Sequence, residues 1–235
     1  MKSLVISLGG SVLVPNLSEN RILEYAAVLR QVSEKHRVLV VVGGGGEARR
    51  YIDAMRGLGV DEGTCDEIGI LVTRLNATLL IAALGDFAYP NVAEDQTTAL
   101  EYAVSGRIVV MGGITPAQTT DAVAAVLAER TRADVLVNLT SVDGIYSADP
   151  KTDATATKFT HLTPDRLGQI VGGSRLNAGS NTVMDAIAVK IIQRSGIPLI
   201  VLDGRKPKNL TEAIISGRFN GTVVSNDANA RYLPL

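Results

Sequence analysis

Cysteine is nearly absent: Cys65 is the single one in 235 residues, and His36 and His161 are the two histidines. One cysteine excludes an internal disulfide framework and a cysteine-based zinc site, and two histidines exclude a multi-histidine metal centre. Net charge is nearly absent too. Against 24 Asp and Glu stand 23 Lys and Arg, for −1 overall. Such a balance exerts no electrostatic pull toward nucleic acid or a membrane. The uncharged stretch from Ile108 to Thr120 holds Gly112, Gly113 and Pro116, so it cannot be a spanning helix. The N-terminus shows neither an adequate apolar h-region nor a small-residue cleavage site, so no signal peptide is read there. A cytoplasmic protein is expected. Apolar residues at 46% and charged residues at 20% fit a folded chain long enough to bury a real core.

What is present is a rhythm of apolar runs and glycines. Leu4–Leu8 reads as a buried strand stopping at Gly9-Gly10-Ser11. Ser18 offers an N-cap to an amphipathic helix carrying Ile22, Tyr25, Ala26, Leu29 and Val32. Arg37–Val42 is a β-branched run ending in Gly43 to Gly46, and a helix with Ala48, Tyr51, Ile52 and Met55 follows and stops at Gly57. Further helices are expected over Ile68–Leu84, Asp121–Glu129, Met184–Ser195 and Leu210–Ile215. Strands are expected at Arg107–Met111, Asp134–Leu139, Ile197–Leu202 and Thr222–Ser225. Apolar strands alternating with helices predict an α/β three-layer sandwich around a mostly parallel sheet. Residues 140–183, rich in Thr, Asp, Gly and Ser, read as loops and short hairpins at the sheet edge. No repeat or linker divides the chain, so one continuous domain with two lobes is expected.

Three strands end in glycine: at Gly9-Gly10, at Gly43 to Gly46 and at Gly112-Gly113. Any one pair reads as a tight turn between strand and helix. Three of them at the carboxyl ends of parallel strands point to a phosphate-rich ligand, held by backbone N–H groups and a helix N-terminus. Arg49, expected in the first turn of the helix after the second cluster, is a candidate phosphate cation. No G-x-x-x-x-G-K-[ST] is present, and Gly43 to Gly46 lacks the G-x-G-x-x-G spacing, so neither common nucleotide fingerprint applies. In Leu139–Pro150, Tyr146 is placed to pack on a base. Asp143 and Asp149 are candidates for a magnesium ion, another cation or a ribose. The alternative is an ordinary hairpin closed by Asp143-Gly144. Cys65 reads as a small packed residue, His161 as a helix-start residue beside Thr163-Pro164, Asp185 as a helix N-cap, and Lys190 as part of a solvated face.

Gly9-Gly10-Ser11, Gly43-Gly44-Gly45 ahead of Arg49, and Thr140–Pro150 together resemble the amino acid kinase superfamily. Gly43–Ile52, Asp66–Ala77, Met111–Ala122, Val142–Pro150 and Met184–Ser195 resemble its archaeal uridylate kinase branch. The resemblance runs from about Leu4 to Val224. It implies the amino acid kinase fold and transfer of the ATP γ-phosphoryl group to UMP, in de novo pyrimidine nucleotide synthesis. On the acceptor side it assigns Gly44, Asp66 as the ribose-gripping acid, and the loop Ile114, Thr115, Pro116, Ala117, Gln118, Thr119 and Thr120. On the ATP side it assigns Gly9, Gly10, Gly45, Arg49, Thr140, Tyr146 and Asp149. Arg49 and Asp143 are the implied catalytic pair. The acceptor lobe would span about 1–130 and the ATP lobe about 131–235. Mg²⁺ is implied with ATP and no protein-held metal, UTP as a possible feedback inhibitor, and a hexamer built as a trimer of dimers. Two positions depart from the pattern. Ser7 stands where much of the superfamily has Lys, and Gly46 where archaeal relatives often have Lys. Rival readings are an isopentenyl phosphate or acetylglutamate kinase, a non-catalytic nucleotide-sensing subunit, and a nicotinamide-dependent reductase. The isopentenyl phosphate enzymes carry a His just after the second glycine cluster, where this chain has Glu47-Ala48-Arg49.

Overall fold

The computed structural model describes residues 1–148, 150, 152–173 and 184–227. In chain order its elements are β1 (Lys2–Leu8), α1 (Gly10–Leu13), α2 (Ile22–Ser33), β2 (His36–Val42), α3 (Gly45–Gly57), α4 (Glu62–Leu84), α5 (Gln96–Ala103), β3 (Val109–Met111) and α6 (Thr120–Thr131). There follow β4 (Val135–Thr140), β5 (Ile145–Tyr146), β6 (Lys158–Phe159), β7 (His161–Leu162), α7 (Pro164–Gly173), α8 (Ala186–Ser195), β8 (Leu199–Asp203), α9 (Lys208–Thr211) and β9 (Gly221–Val224). A π-helical turn over Glu212–Ser216 continues α9.

Seven strands form one sheet in the order β3-β2-β1-β4-β8-β9-β7. All neighbours are parallel except β8 and β9. The strands read as unbroken apolar runs because both faces are covered. Leu4, Ile6 and Leu8 of β1 point to one layer with Val12, Tyr25, Leu29, Leu80 and Leu84. Val5, Leu39, Val41 and Leu136 point to the other, with Ala122, Val123, Leu127, Ala188 and Ile192. The α/β three-layer prediction therefore holds. Each large side chain so buried contributes about 1.5–3 kcal/mol of transfer free energy.

The topology creates the crevice. From β1 the chain steps outward through β2 to β3, then returns past β1 to β4 on its other side. The switch in direction falls between the carboxyl ends of β1 and β4, where ligands bind in open parallel sheets.

Helix α4 is long and apolar enough to cross a membrane by length and composition, with a mean hydropathy of 1.8 in the stretch concerned. It is nonetheless a packed helix. Ala77, Leu80, Ile81 and Leu84 lie in the core, and Arg74 in its middle pairs with Glu94 at 2.6 Å.

Several expectations are corrected. Ser18 does not cap α2; its hydroxyl turns to Asn16 Oδ1 at 2.7 Å, and Asn20 Oδ1 instead accepts from the Ile22 N–H at 3.3 Å. His161 lies on β7, not at a helix start, and its Nε2 meets Ser225 Oγ at 3.0 Å. The β5–β6 hairpin is not closed by Asp143-Gly144, which precede it; Ile145 pairs with Phe159 and the connection runs through 147–157. The α5 helix has no counterpart in the sequence reading. Cys65 is fully buried, Lys190 is exposed and Asp185 does cap α8, as expected.

Candidate active site

The first two glycine clusters meet backbone to backbone. A Cβ on Gly10 would fall 2.1 Å from the Gly45 nitrogen, and one on Gly43 would fall 2.5 Å from the Gly10 nitrogen. Gly45 also needs glycine for its φ of 71°. The tight-turn reading is served: bare backbone at the ends of β1 and β2 is what lets the two turns nest. Asn76 of α4 fastens this nest from below, its Nδ2 donating to the carbonyls of Gly43 and Gly44 at 3.0 Å each. The third cluster is held by the same helix. Thr73 Oγ1 accepts from the Gly113 N–H at 2.7 Å and donates to the Ile70 carbonyl at 2.6 Å.

One departure now has a physical reason. A Cβ at Gly46 would lie 2.0 Å from the Pro15 carbonyl oxygen. No side chain fits without moving the backbone after α1, so a lysine has no room here. Helix α3 follows directly, with Gly44 at its N-cap offering no side-chain cap. Arg49 sits at the start of its second turn, exposed, and no described residue pairs with it. A guanidinium left free beside a helix N-terminus is available to an anion.

On the acceptor side the structure brings Asp66 and the 114–120 loop together. Asp66 Oδ2 accepts from the Ala117 N–H at 2.8 Å. Ala117 has a φ of 60°, a left-handed conformation that an alanine adopts at a cost. The other Asp66 oxygen carries no bond to a described residue. Ile114 packs on the core, Pro116 and Gln118 are half-buried, and Thr115 is exposed. Thr119 caps α6, accepting from the Ala122 N–H at 3.1 Å, and its hydroxyl donates to Asp185 Oδ2. Thr119 is therefore already committed, and Thr115 and Thr120 are the loop hydroxyls with no described partner.

On the other side of the crevice, Gly9 N–H donates to the Leu139 carbonyl at 3.0 Å, and Gly204 N–H donates to that of Thr140 at 2.8 Å. Tyr25, fully buried, donates to the Gly204 carbonyl at 2.6 Å, and burial raises its pKa. Beyond β4, Asp143 is not free. Lys158 Nζ lies 3.0 Å from its Oδ2 and the Tyr146 hydroxyl 2.8 Å from its Oδ1. Partial burial would raise the Asp143 pKa, but these two donors outweigh it and hold the carboxyl below its usual range. Asp203 is likewise held low, chiefly by its hydrogen bonds from Arg205 at 2.8 and 2.9 Å. Asp149 lies outside the described residues.

The sequence reading missed Ser7's partner. Ser7 Oγ, where the superfamily's lysine is absent, donates to Asp121 Oδ1 at 2.6 Å. Burial pushes the Asp121 carboxyl up to about 6; the Ser7 hydrogen bond pulls it down, and the nearby Asp185 charge raises it. Asn76, Thr73, Asp121 and Lys158 were also not singled out. The signal for the first two was there: polar residues three apart on a helix face otherwise apolar.

A mostly parallel sheet with glycine turns at three adjacent strand ends, Arg49 early in α3 with no described partner, and no P-loop motif are together the arrangement that the amino acid kinase resemblance predicts. The chain belongs to the amino acid kinase family, whose model matches residues 2–203. It is 62% identical over 229 residues to a uridylate kinase of Methanoculleus marisnigri, covering 97% of this chain and 98% of that one. It is 59% identical over 235 residues to a uridylate kinase of Methanoregula boonei, covering 100% of both. The crystal structure of uridylate kinase from Archaeoglobus fulgidus matches with a TM-score of 0.86 and 47% identity, over 96% of this chain and 100% of that one.

Proposed function

We propose that the chain is a UMP kinase, transferring the γ-phosphoryl group of ATP to UMP and releasing ADP and UDP. The likeness to uridylate kinases over nearly the full length supports this. The observation in the structure that carries it is Asp66, tied at 2.8 Å to Ala117 with one oxygen left over, at the mouth of a glycine-lined crevice.

The chemistry asks little of the protein in covalent terms. A UMP phosphate oxygen is already an anionic nucleophile, so no strong general base is needed. Phosphoryl transfer is catalysed by alignment and by neutralising charge on the equatorial oxygens. Gly10 and Gly45 offer backbone N–H groups to the phosphates, while the Gly9 N–H is committed to the Leu139 carbonyl and Gly9 contributes only its lack of a side chain; Arg49 offers a forked cation. Asp66 and the 114–120 loop orient UMP. Thr140 and Tyr146 border the ATP side, with the lobes meeting near residue 130. Mg²⁺ would arrive on the ATP phosphates and supply further charge neutralisation. Among the described residues no group of three or more His, Cys, Asp or Glu gathers to hold an ion.

The same reading includes a place in pyrimidine nucleotide synthesis, a cytoplasmic location and UTP as an inhibitor. It also includes a trimer of dimers, for which the exposed Leu71, Leu75 and Leu79 stripe along α4 is a suitable dimer face. The test is a coupled ADP-release assay with purified protein, ATP, Mg²⁺ and UMP. Turnover with UMP well above that with acetylglutamate or isopentenyl phosphate supports the reading, and the reverse order removes it.

A further inference from the structure

The backbone of the second glycine cluster can be followed group by group. The Gly43 N–H is committed to the Leu8 carbonyl at 3.0 Å, and the Gly46 N–H lies 3.4 Å from that of Val14. The N–H groups of Gly44 and Gly45 have no partner among the described residues, and both glycines are half-buried. Their two peptide units are held from the carbonyl side. Asn76, 2% exposed on α4, donates from Nδ2 to the Gly43 carbonyl and to the Gly44 carbonyl at 3.0 Å each. The Gly44 carbonyl also takes a longer bond from the Ala48 N–H at 3.4 Å.

A trans peptide unit is planar, and its C=O and N–H point opposite ways. The Gly43 carbonyl shares its plane with the Gly44 N–H, and the Gly44 carbonyl shares its plane with the Gly45 N–H. Drawing both carbonyls toward α4 therefore turns both N–H groups away from it. They face the side of the β1 turn: the Gly45 nitrogen is the atom that a Cβ on Gly10 would meet at 2.1 Å. The choice of asparagine follows from the same geometry. Two neighbouring carbonyls need two hydrogens from one neutral, buried atom. A hydroxyl has one hydrogen, a carboxylate has none, and a lysine would bury a charge. Thr73, one turn earlier on α4, binds the Gly113 N–H at 2.7 Å, so one helix face holds the turns after both β2 and β3.

We propose that Asn76 is a positioning residue for phosphoryl transfer: by holding two carbonyls it aims the Gly44 and Gly45 N–H groups at the phosphates of both substrates. The inference rests on the phosphoryl-transfer reading of the crevice. The family resemblance gives Gly44 to UMP and Gly45 to ATP, so one buried amide sets donors on both sides of the bond that breaks. Asn76 acts through the turn and touches neither substrate. Donors fixed in advance need no reorganisation as charge moves from one phosphate to the other. Without the amide both peptide units can turn, and both phosphates lose their N–H groups together.

The test separates phosphate from nucleoside. Asn76→Asp keeps the shape and sets an oxygen against two carbonyls; Asn76→Leu keeps a similar volume and supplies no donor. Leu127→Ala, a buried change two turns down α6, is the control for lost stability alone. Calorimetry measures binding of UMP, uridine, ADP, adenosine and inorganic phosphate at a temperature where circular dichroism shows the variant folded. In the Asn76 variants affinity for UMP, ADP and inorganic phosphate should fall by roughly tenfold or more, because bonds to charged groups are lost. Uridine and adenosine should stay within about threefold, and kcat should fall along with phosphate binding. Leu127→Ala should keep every ligand and kcat within about threefold despite its lower melting temperature. In unaltered protein labelled with ¹⁵N-glycine, the Gly44 and Gly45 amide resonances should move on adding UMP, ADP or inorganic phosphate. Equal weakening of nucleoside and nucleotide overturns the inference, as does phosphate-ligand binding within about threefold of wild type in a folded Asn76 variant. So do resonances that ignore all three phosphate ligands. Failure of both Asn76 variants to fold assigns the residue to stability and overturns it too. If UMP is not phosphorylated and moves neither resonance while inorganic phosphate moves both and binds weakly to the variants, the positioning role stands and UMP is removed as acceptor.

Discussion

Asp66→Ala separates acceptor binding from everything else at the site. In the structure one oxygen of the Asp66 carboxylate fixes the Ala117 N–H at 2.8 Å, and the other carries no bond to a described residue. A hydrogen bond to a charged group contributes about 1.5–3 kcal/mol. Losing a single ribose contact thus raises the UMP KM by roughly ten- to hundredfold, since about 1.4 kcal/mol is a factor of ten. Releasing the loop adds to this, because Ala117 holds a φ of 60° that costs about 1–2 kcal/mol and is maintained by that same carboxylate. The ATP KM should stay near wild type, because Asp66 lies on α4 whereas Thr140 ends β4 and Tyr146 lies on β5. Steady-state kinetics with each substrate varied in turn reads both numbers. Preference for UMP over deoxy-UMP should erode in Asp66→Ala. The control is Ala117→Gly, which relieves the φ cost while leaving Asp66 in place, and it should keep the UMP KM within about threefold. An unchanged UMP KM in Asp66→Ala, or an equal loss for ATP and UMP, would refute the assignment.

Further outcomes are expected. Arg49→Ala should lower kcat by roughly a hundredfold, about 3 kcal/mol, with a smaller effect on ATP binding, and Arg49→Lys should recover only part, as single-turnover rates would show. Gly46→Lys should lower the melting temperature, since its Cβ meets the Pro15 oxygen at 2.0 Å and such overpacking costs about 1–3 kcal/mol or more. Thr73→Val should cost about 1–3 kcal/mol in urea unfolding, because it strands the buried Gly113 N–H. Asp121 gives a pH signature of stability. Its folded pKa, about 6, lies above the 3.8 of an ordinary aspartate. The neutral form is therefore favoured by folding, and that stability is fully present below about pH 4 and lost as pH rises through 6. The difference amounts to about 3 kcal/mol at 1.36 kcal/mol per unit. Asp121→Asn should accordingly stabilise the fold more at pH 8 than at pH 5, measured by urea melts at both.

The parallel core was legible because strands buried on both faces read as unbroken apolar runs, from Leu4–Leu8 to Leu199–Leu202. Helix α5 was not, because it buries only Ala99 and Ala103 and shows no apolar stripe. Its one signal was Asp95 ahead of Thr97 and Thr98, whose N–H groups it caps at 2.7 and 2.9 Å. The glycine turns and Asp66 stood out by type and spacing. The contacts that hold them did not, since Asn76 reaches Gly43 across 33 residues and Ser7 reaches Asp121 across 114. Pairings at that separation are set by the sheet order, which local pattern does not encode. The crowding that bars a side chain at Gly46 is likewise a property of Pro15's position in space.

The most direct measurement is ADP release by the purified protein with ATP and Mg²⁺ over UMP, CMP, acetylglutamate and isopentenyl phosphate, with the product identified by chromatography. UDP formed from UMP, at a kcat/KM at least a hundredfold above the other three, is the expected result. No turnover of UMP, or faster turnover of any other acceptor, would contradict the assignment of this crevice to phosphoryl transfer onto UMP.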